Sequence, residues 1–362
     1  MQPINADTRA AWTVDDLHAD SGWIYQLDDR ARRELTQAVK RARDPARTLL
    51  DYRRADFDLG SAWPAISRAL TEIKTGRGLA VLRGLPRVDM TAEEFELLTW
   101  AIGLHAGVAR PQGKATRYLS AVKDIGTVYR SGGGRGYSSN AELDFHTDGA
   151  DVVLLSCYNV ARSGGMSMVT SSVTAHNVMV SECQGLAEVL HQDFYFSRQA
   201  EQAPDEGPWY PNPLFDVADG LLFSKWNRNR VTMAQRLPGV PALTEAQRQA
   251  TECLDEVLRR PSLMYAMYLQ PGDMQLLNSH VTLHSRTEFE DHDVPAMKRT
   301  LFRLWLAPPD STRLPESWQP FYRSVAPGTV RGGIIGQAYD ETRRGYERRA
   351  AADLGMQAAS DL

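Results

Sequence analysis

The sequence predicts an α+β protein built around a closed or sandwiched β core, on three observations. Short strand-like runs occur at 79–82, 151–160, 165–172, 273–278 and 299–307. A helical insertion, about 176–265, separates the first three runs from the last two. Short strands on both sides of such an insertion fit a sandwich or barrel better than a doubly wound sheet. The third observation is chemical. His146-Thr147-Asp148 stands just ahead of the apolar run at 152–158, and further histidines lie far downstream.

The elements follow in order. Residues 1–74 read as helices and loops packed on the core, with Trp63, Ile66, Leu70 and Ile73 on one helical face and Gly76 just beyond. Leu79-Ala80-Val81-Leu82 is apolar throughout and lies between Gly78 and Gly84-Leu85-Pro86, the pattern of a buried strand. Thr91-Ala92-Glu93-Glu94 is a capping box for a helix through Phe95, Leu98 and Ile102. Thr244-Glu245-Ala246-Gln247 repeats the device ahead of Leu254, Val257 and Leu258. Gly132, Gly133, Gly134 and Gly136 match no phosphate-binding pattern and read as a loop that could cover a nearby site. The core domain is expected over 75–310. Residues 311–362, with an Arg-rich helix near 339–354, are expected to be a peripheral extension, a surface or subunit-contact element.

Composition excludes several classes. The chain has 362 residues, 43% hydrophobic and 24% charged, and a net charge of −4, with nothing to draw nucleic acid or an anionic membrane. No apolar run approaches the roughly 20 residues of a membrane helix, and the polar start carries no secretory signal. The three cysteines, Cys157, Cys183 and Cys253, have no CxxC spacing. A cytoplasmic protein acting on a small molecule, as a monomer or a homo-oligomer, is expected.

Two histidines and a carboxylate on one metal leave half of an octahedral shell open, the arrangement of non-haem Fe(II) oxygenases. In an extended segment, side chains at i and i+2 leave the same face, so His146 and Asp148 can share an ion. The second HxD copy, His191-Gln192-Asp193, follows the helical run 186–190. There i and i+2 diverge by roughly 200°, and no ligand pair is expected. The third ligand lies among His280, His284 and His292. His292 falls in a charged loop, and the residues alone leave His280 and His284 both open.

Four segments in this order resemble the TauD/TfdA-type Fe(II)/2-oxoglutarate-dependent dioxygenases. They are Phe145-His146-Thr147-Asp148, Gly164-Gly165-Met166-Ser167, Asn278-Ser279-His280-Val281-Thr282-Leu283-His284 and Lys298-Arg299-Thr300-Leu301-Phe302-Arg303. The resemblance implies a double-stranded β-helix (jelly-roll) core with flanking helices. It implies iron ligands His146, Asp148 and His284, with 2-oxoglutarate and O₂ as co-substrates. The far carboxylate of 2-oxoglutarate is implied to meet Arg303, with Arg299 as competitor on the same strand face, and the hydroxyl of Ser167. A guanidinium suits a carboxylate because it can bind both oxygens. Two departures are a serine where the family usually has threonine, and a short spacing from Asp148 to that serine. Because Asp148 is present, halogenation is disfavoured.

The implied reaction oxidises a C–H bond of a small organic substrate and releases succinate and CO₂. Hydroxylation is the default outcome, and desaturation, epoxidation or cyclisation would use the same ligands. Two alternatives are a metal oxygenase without 2-oxoglutarate and a silent β-barrel binding module. Tyr137, Asn140, Arg228 (with Arg230) and Asn278 are the expected substrate contacts.

Overall fold

The computed structural model describes residues 3–4, 8–129 and 136–357. Gly132, Gly133 and Gly134 of the expected loop lie outside the described residues. Two antiparallel sheets face each other across an apolar seam. The larger runs in the order Ile24–Gln26, Leu79–Arg83, Met274–Asn278, Val152–Asn159, Thr300–Ala307, Val108–Arg110, with Leu119–Val122 also paired to Thr300–Ala307. Only its first pair is parallel. The smaller sheet sets Ser167–Ser171 between Met264–Met267 and Thr282–Arg286. Val81, Val153, Leu277 and Trp305 from the larger sheet meet Val169 from the smaller one. This is the sandwiched β core that the strand pattern predicts, with the jelly-roll form that the resemblance implies.

Alternation along the strands explains the layers. On Thr300–Ala307, Phe302, Leu304 and Leu306 point to the helical side, while Leu301, Arg303 and Trp305 line the cavity between the sheets. Helices Asp29–Ala42, Trp63–Thr75 and Ala92–Ala106 cover the outer face of the larger sheet. Helices Ser172–Glu182, Gln184–Val189 and Glu245–Leu258 do the same for the smaller one, packing Ala175, Met179 and Leu254 with Met168 and Leu283. Each leucine or methionine among them contributes about 1.5–3 kcal/mol by leaving water. Both expected capping boxes form, Thr91 with Glu94 and Thr244 with Gln247.

Three features depart from the sequence reading. The helical N-terminal region adds the edge strand Ile24–Gln26, too short for periodicity to reveal. The insertion also carries two β ribbons, Asp193–Ser197 with Trp209–Pro213 and Phe215–Ala218 with Leu221–Ser224. The C-terminal segment is not peripheral. Trp318 and Tyr322 are buried in the insertion's core, Tyr346 in the helical layer, and Arg331 is fully buried against Asp151. Its aromatic residues fill space that the jelly roll leaves open.

Candidate metal centre and co-substrate pocket

His146 and His284 face each other as an isolated antiparallel bridge, each backbone N–H donating to the other's carbonyl at 3.0 Å. His284 lies on Thr282–Arg286, and Asp148 follows two residues after His146 in extended chain. Ligand atoms of the three side chains fall within 4.8 Å of one another. Nε2 of His146 is 3.9 Å and Nε2 of His284 is 3.7 Å from the Asp148 carboxylate. Two metal–ligand bonds of about 2.0–2.2 Å span such gaps. Nδ1 of His146 lies 2.9 Å from the Asp144 carbonyl. That contact makes Nδ1 the donor and leaves the Nε2 lone pair for a metal.

The electrostatics favour a cation. Burial pushes the Asp148 carboxyl up, but the Arg303 guanidinium and then the two imidazoles outweigh it and hold it down to about 2. Burial, then the neighbouring His146, pushes His284 down to about 3. At neutral pH the centre therefore offers a carboxylate and a neutral His284. The donor set fits an iron(II) ion.

Arg303 does not stand apart from this centre. Its Nη1 is 3.2 Å from Oδ1 of Asp148, and its Nε donates to Oε1 of Gln112 at 2.9 Å. Gln112 in turn donates to the carbonyls of Tyr118 and Arg303. Arg299 also lines the cavity, buried, with its backbone N–H on Asp291 and its Nη1 unpartnered among the described residues. Burial pushes it down to about 10. Space for it comes from Gly165, whose φ is +73° and whose missing Cβ would lie 3.0 Å from Arg299 Nε. Gly164 is equally required, since a Cβ there would meet the Glu288 carbonyl at 2.2 Å. Ser167 donates to Gln275 at 3.0 Å and is the register partner of Arg286, a second buried guanidinium with an unpartnered Nη1.

Of the expected substrate contacts, Tyr137 lines the cavity, its ring 5.3 Å from the Arg303 guanidinium. The other three do not. Asn140 is exposed. Arg228 turns away to pair with Asp255 and the Thr251 carbonyl. Asn278 holds the bend instead, bonding the Ile73 carbonyl and the His280 N–H. Arg230, by contrast, does reach the cavity. The second HxD forms no pair: His191 bonds His176 at 2.9 Å and Asp193 is exposed. His280 is bound to Asp151 at 2.9 Å and is a structural neighbour of the centre.

Sequence reading missed Gln112, Asp144, Lys225, Gln275 and Arg286. Arg286 alone carried a signal, being two residues from His284 on one strand, where alternate side chains share a face.

Residues 42–305 match the family model described as taurine catabolism dioxygenase TauD, TfdA family. The chain is 30% identical over 314 residues to FR-33289 synthase of Streptomyces rubellomurinus (strain ATCC 31215), covering 85% of this chain and 92% of that protein. It is 24% identical to the taurine hydroxylase-like protein SAT17 of Stachybotrys chartarum (strain CBS 109288 / IBT 7711), covering 83% and 81%. An asparagine oxygenase in complex with Fe(II), 3-hydroxyasparagine and succinate shares the fold, with a TM-score of 0.55, 17% identity and coverage of 78% and 93%. So does the non-haem iron oxygenase OrfP in complex with Fe and α-ketoglutaric acid, at 0.57, 15%, 78% and 94%. No helix among the described residues is long and apolar enough to cross a membrane. The silent-module and 2-oxoglutarate-independent alternatives fall away, because this chain belongs to the TauD/TfdA family of Fe(II)- and 2-oxoglutarate-dependent dioxygenases.

Proposed function

We propose that the enzyme hydroxylates a small organic substrate, with His146, Asp148 and His284 holding iron and Arg299 holding the far carboxylate of 2-oxoglutarate. The observation that carries this reading is the division of labour between two arginines on one strand face. Arg303 already touches a metal ligand, so its guanidinium is at the near end of the co-substrate, where it orients Asp148. Each of the two leaves a buried nitrogen unmet, Nη2 of Arg303 and Nη1 of Arg299, but Arg303 is already held by Gln112 and Asp148, whereas no hydrogen bond to the Arg299 side chain is found among the described residues; a carboxylate supplies the acceptor it lacks. This reverses the order that the family resemblance alone implies. Arg286 stands near Arg299 and adds a donor to the same carboxylate, and Ser167 joins it by turning its one O–H away from Gln275.

When bound, iron supplies the redox chemistry that couples decarboxylation of 2-oxoglutarate to C–H oxidation. The protein's residues supply geometry. The Asp144 carbonyl fixes the His146 tautomer, and the Gln112–Arg303 pair keeps the Asp148 carboxylate aimed. Trp226, Phe321 and Trp305 wall the cavity against water. Hydroxylation is the preferred outcome because the asparagine oxygenase and OrfP neighbours are described with hydroxylated amino acids. A cytoplasmic setting, with thiols kept reduced, completes the proposal.

The test is anaerobic addition of Fe(II) and then 2-oxoglutarate to the purified protein. A visible charge-transfer absorption should appear only with both present. Its absence, with iron shown to be bound, would overturn the co-substrate assignment. Succinate release across a panel of small acids and amino acids then identifies the substrate.

A further inference from the structure

Five cationic side chains line the cavity among the described residues, Arg286, Arg299, Arg303, Lys225 and Arg230, against one carboxylate, Asp148. Arg303 lies on Asp148, with its Nη2 unpartnered, and Arg230 is paired with Glu201 at 3.2 Å. The proposed function assigns Arg299 and Arg286 to the co-substrate. Lys225 alone has neither an anionic partner nor an assigned one.

Lys225 is buried, with 6% of its surface exposed. No hydrogen bond or ion pair reaches its ammonium from the described residues. Instead it stands 3.6 Å from the ring centre of Phe321 and 5.1 Å from that of Tyr322. Ring faces partly offset the burial of a cation but do not neutralise it. Burial, then the repulsion of Arg230 and Arg198, pushes this amine well below its ordinary range. Its position is fixed from both sides. The Ser224 N–H donates to the His280 carbonyl at 2.8 Å, and the Thr147 N–H donates to the Trp226 carbonyl at 2.9 Å. Asn227 bridges His146 itself. The backbone of Lys225 is thereby clamped between the two segments that carry the metal ligands, with its side chain in the cavity they share.

We propose that Lys225 is the recognition residue for the oxidised substrate and selects one bearing an acidic headgroup, a carboxylate or a phosphonate. An anionic headgroup against the Phe321 ring favours the protonated amine that burial disfavours, and the carbon chain extends from there into the cavity that the metal ligands share. A guanidinium or ammonium headgroup is disfavoured there, because among the described lining residues no carboxylate besides Asp148 could receive it. The inference rests on the oxygenase reading above.

The test uses the full chain loaded anaerobically with Fe(II) and 2-oxoglutarate, titrated with butyrate, propylphosphonate or neutral butyramide and followed by calorimetry. The wild type should bind at least one of the two anions about tenfold or more tighter than the amide. Which anion wins identifies the headgroup. Lys225→Met should lose that preference while binding 2-oxoglutarate as the wild type does, and Lys225→Arg should retain it. The methionine suits the surrounding rings, and an unchanged melting temperature confirms its fold. Equal binding of amide and anions by the wild type, binding of neither anion, or an undiminished preference in Lys225→Met would each overturn the proposal. Loss of 2-oxoglutarate binding in Lys225→Met alone would overturn it too, placing the lysine on the co-substrate. Failure of 2-oxoglutarate to bind the wild type sinks the oxygenase reading first, and this proposal with it.

Discussion

The carbonyl of Asp144 decides which nitrogen of His146 can serve a metal, and Arg303 decides how the Asp148 carboxylate lies. Replacing His146, Asp148 or His284 by Ala should abolish succinate formation, while His191→Ala should leave turnover near wild type. Wild-type turnover in Asp148→Ala would refute the ligand set. Arg299→Ala should raise the 2-oxoglutarate requirement more than Arg303→Ala. The loss is about 2–5 kcal/mol, by analogy with truncated buried charge pairs at interfaces. Arg303→Ala should instead weaken iron retention, read by metal analysis after dialysis. The ligand types were legible in the sequence because metal chemistry restricts them to a few residues. The contact of Arg303 with Asp148, on which the proposed division of roles between the two arginines rests, was not: an offset of four puts both on one strand face, and the contact joins residues far apart in the chain.

At the scale of elements, helix Ser172–Glu182 carries a buried histidine, His176, whose ring meets His191. Burial, then the charge of His191, pushes His176 down to about 4 from 6.5. The folded protein thus resists taking a proton that the unfolded chain accepts. Stability is fully present above pH 6.5 and falls as pH drops toward 4, by on the order of 2–3 kcal/mol. Urea titrations between pH 7 and 5 should show this slope, and His176→Gln should flatten it. An equally steep slope in the variant would assign the acid sensitivity elsewhere. Helix Ala92–Ala106 gives a second case. An alanine normally favours a helix interior over glycine by roughly 1 kcal/mol. At Gly103 a Cβ would lie 2.1 Å from Cδ2 of Leu304 on the sheet beneath. Gly103→Ala should therefore lower the melting temperature, and the added change Leu304→Val should recover part of the loss. The helices themselves were legible, since caps and periodicity are local. The closeness of this helix to its sheet was not, because the contact joins residues far apart in the chain.

For the whole molecule, the buried C-terminal aromatics show where composition misleads. An Arg-rich helix reads as surface, yet Arg110 and Tyr118 grip its Glu347 from the core side. A sandwiched β core was legible because its strands alternate or run apolar, while its jelly-roll topology was legible only through the family resemblance of the four segments. Iron should stabilise this assembly by mass action, by about 2.7 kcal/mol at a hundredfold excess over the dissociation constant. Differential scanning fluorimetry under nitrogen should show a rise of a few degrees with Fe(II) that Asp148→Ala lacks. An equal rise in that variant would place the ion elsewhere.

The reciprocal backbone bonds between His146 and His284 bear on how the enzyme is born. During synthesis the first two ligands leave the ribosome long before the third is made. The contact that unites them closes a long stretch of chain, a step that comes late because loop closure precedes its reward. A nascent chain can offer only a histidine and a carboxylate, a feeble trap for any ion. Tight metal binding is therefore expected only of the finished chain, and a product truncated before His284 should retain no iron after dialysis.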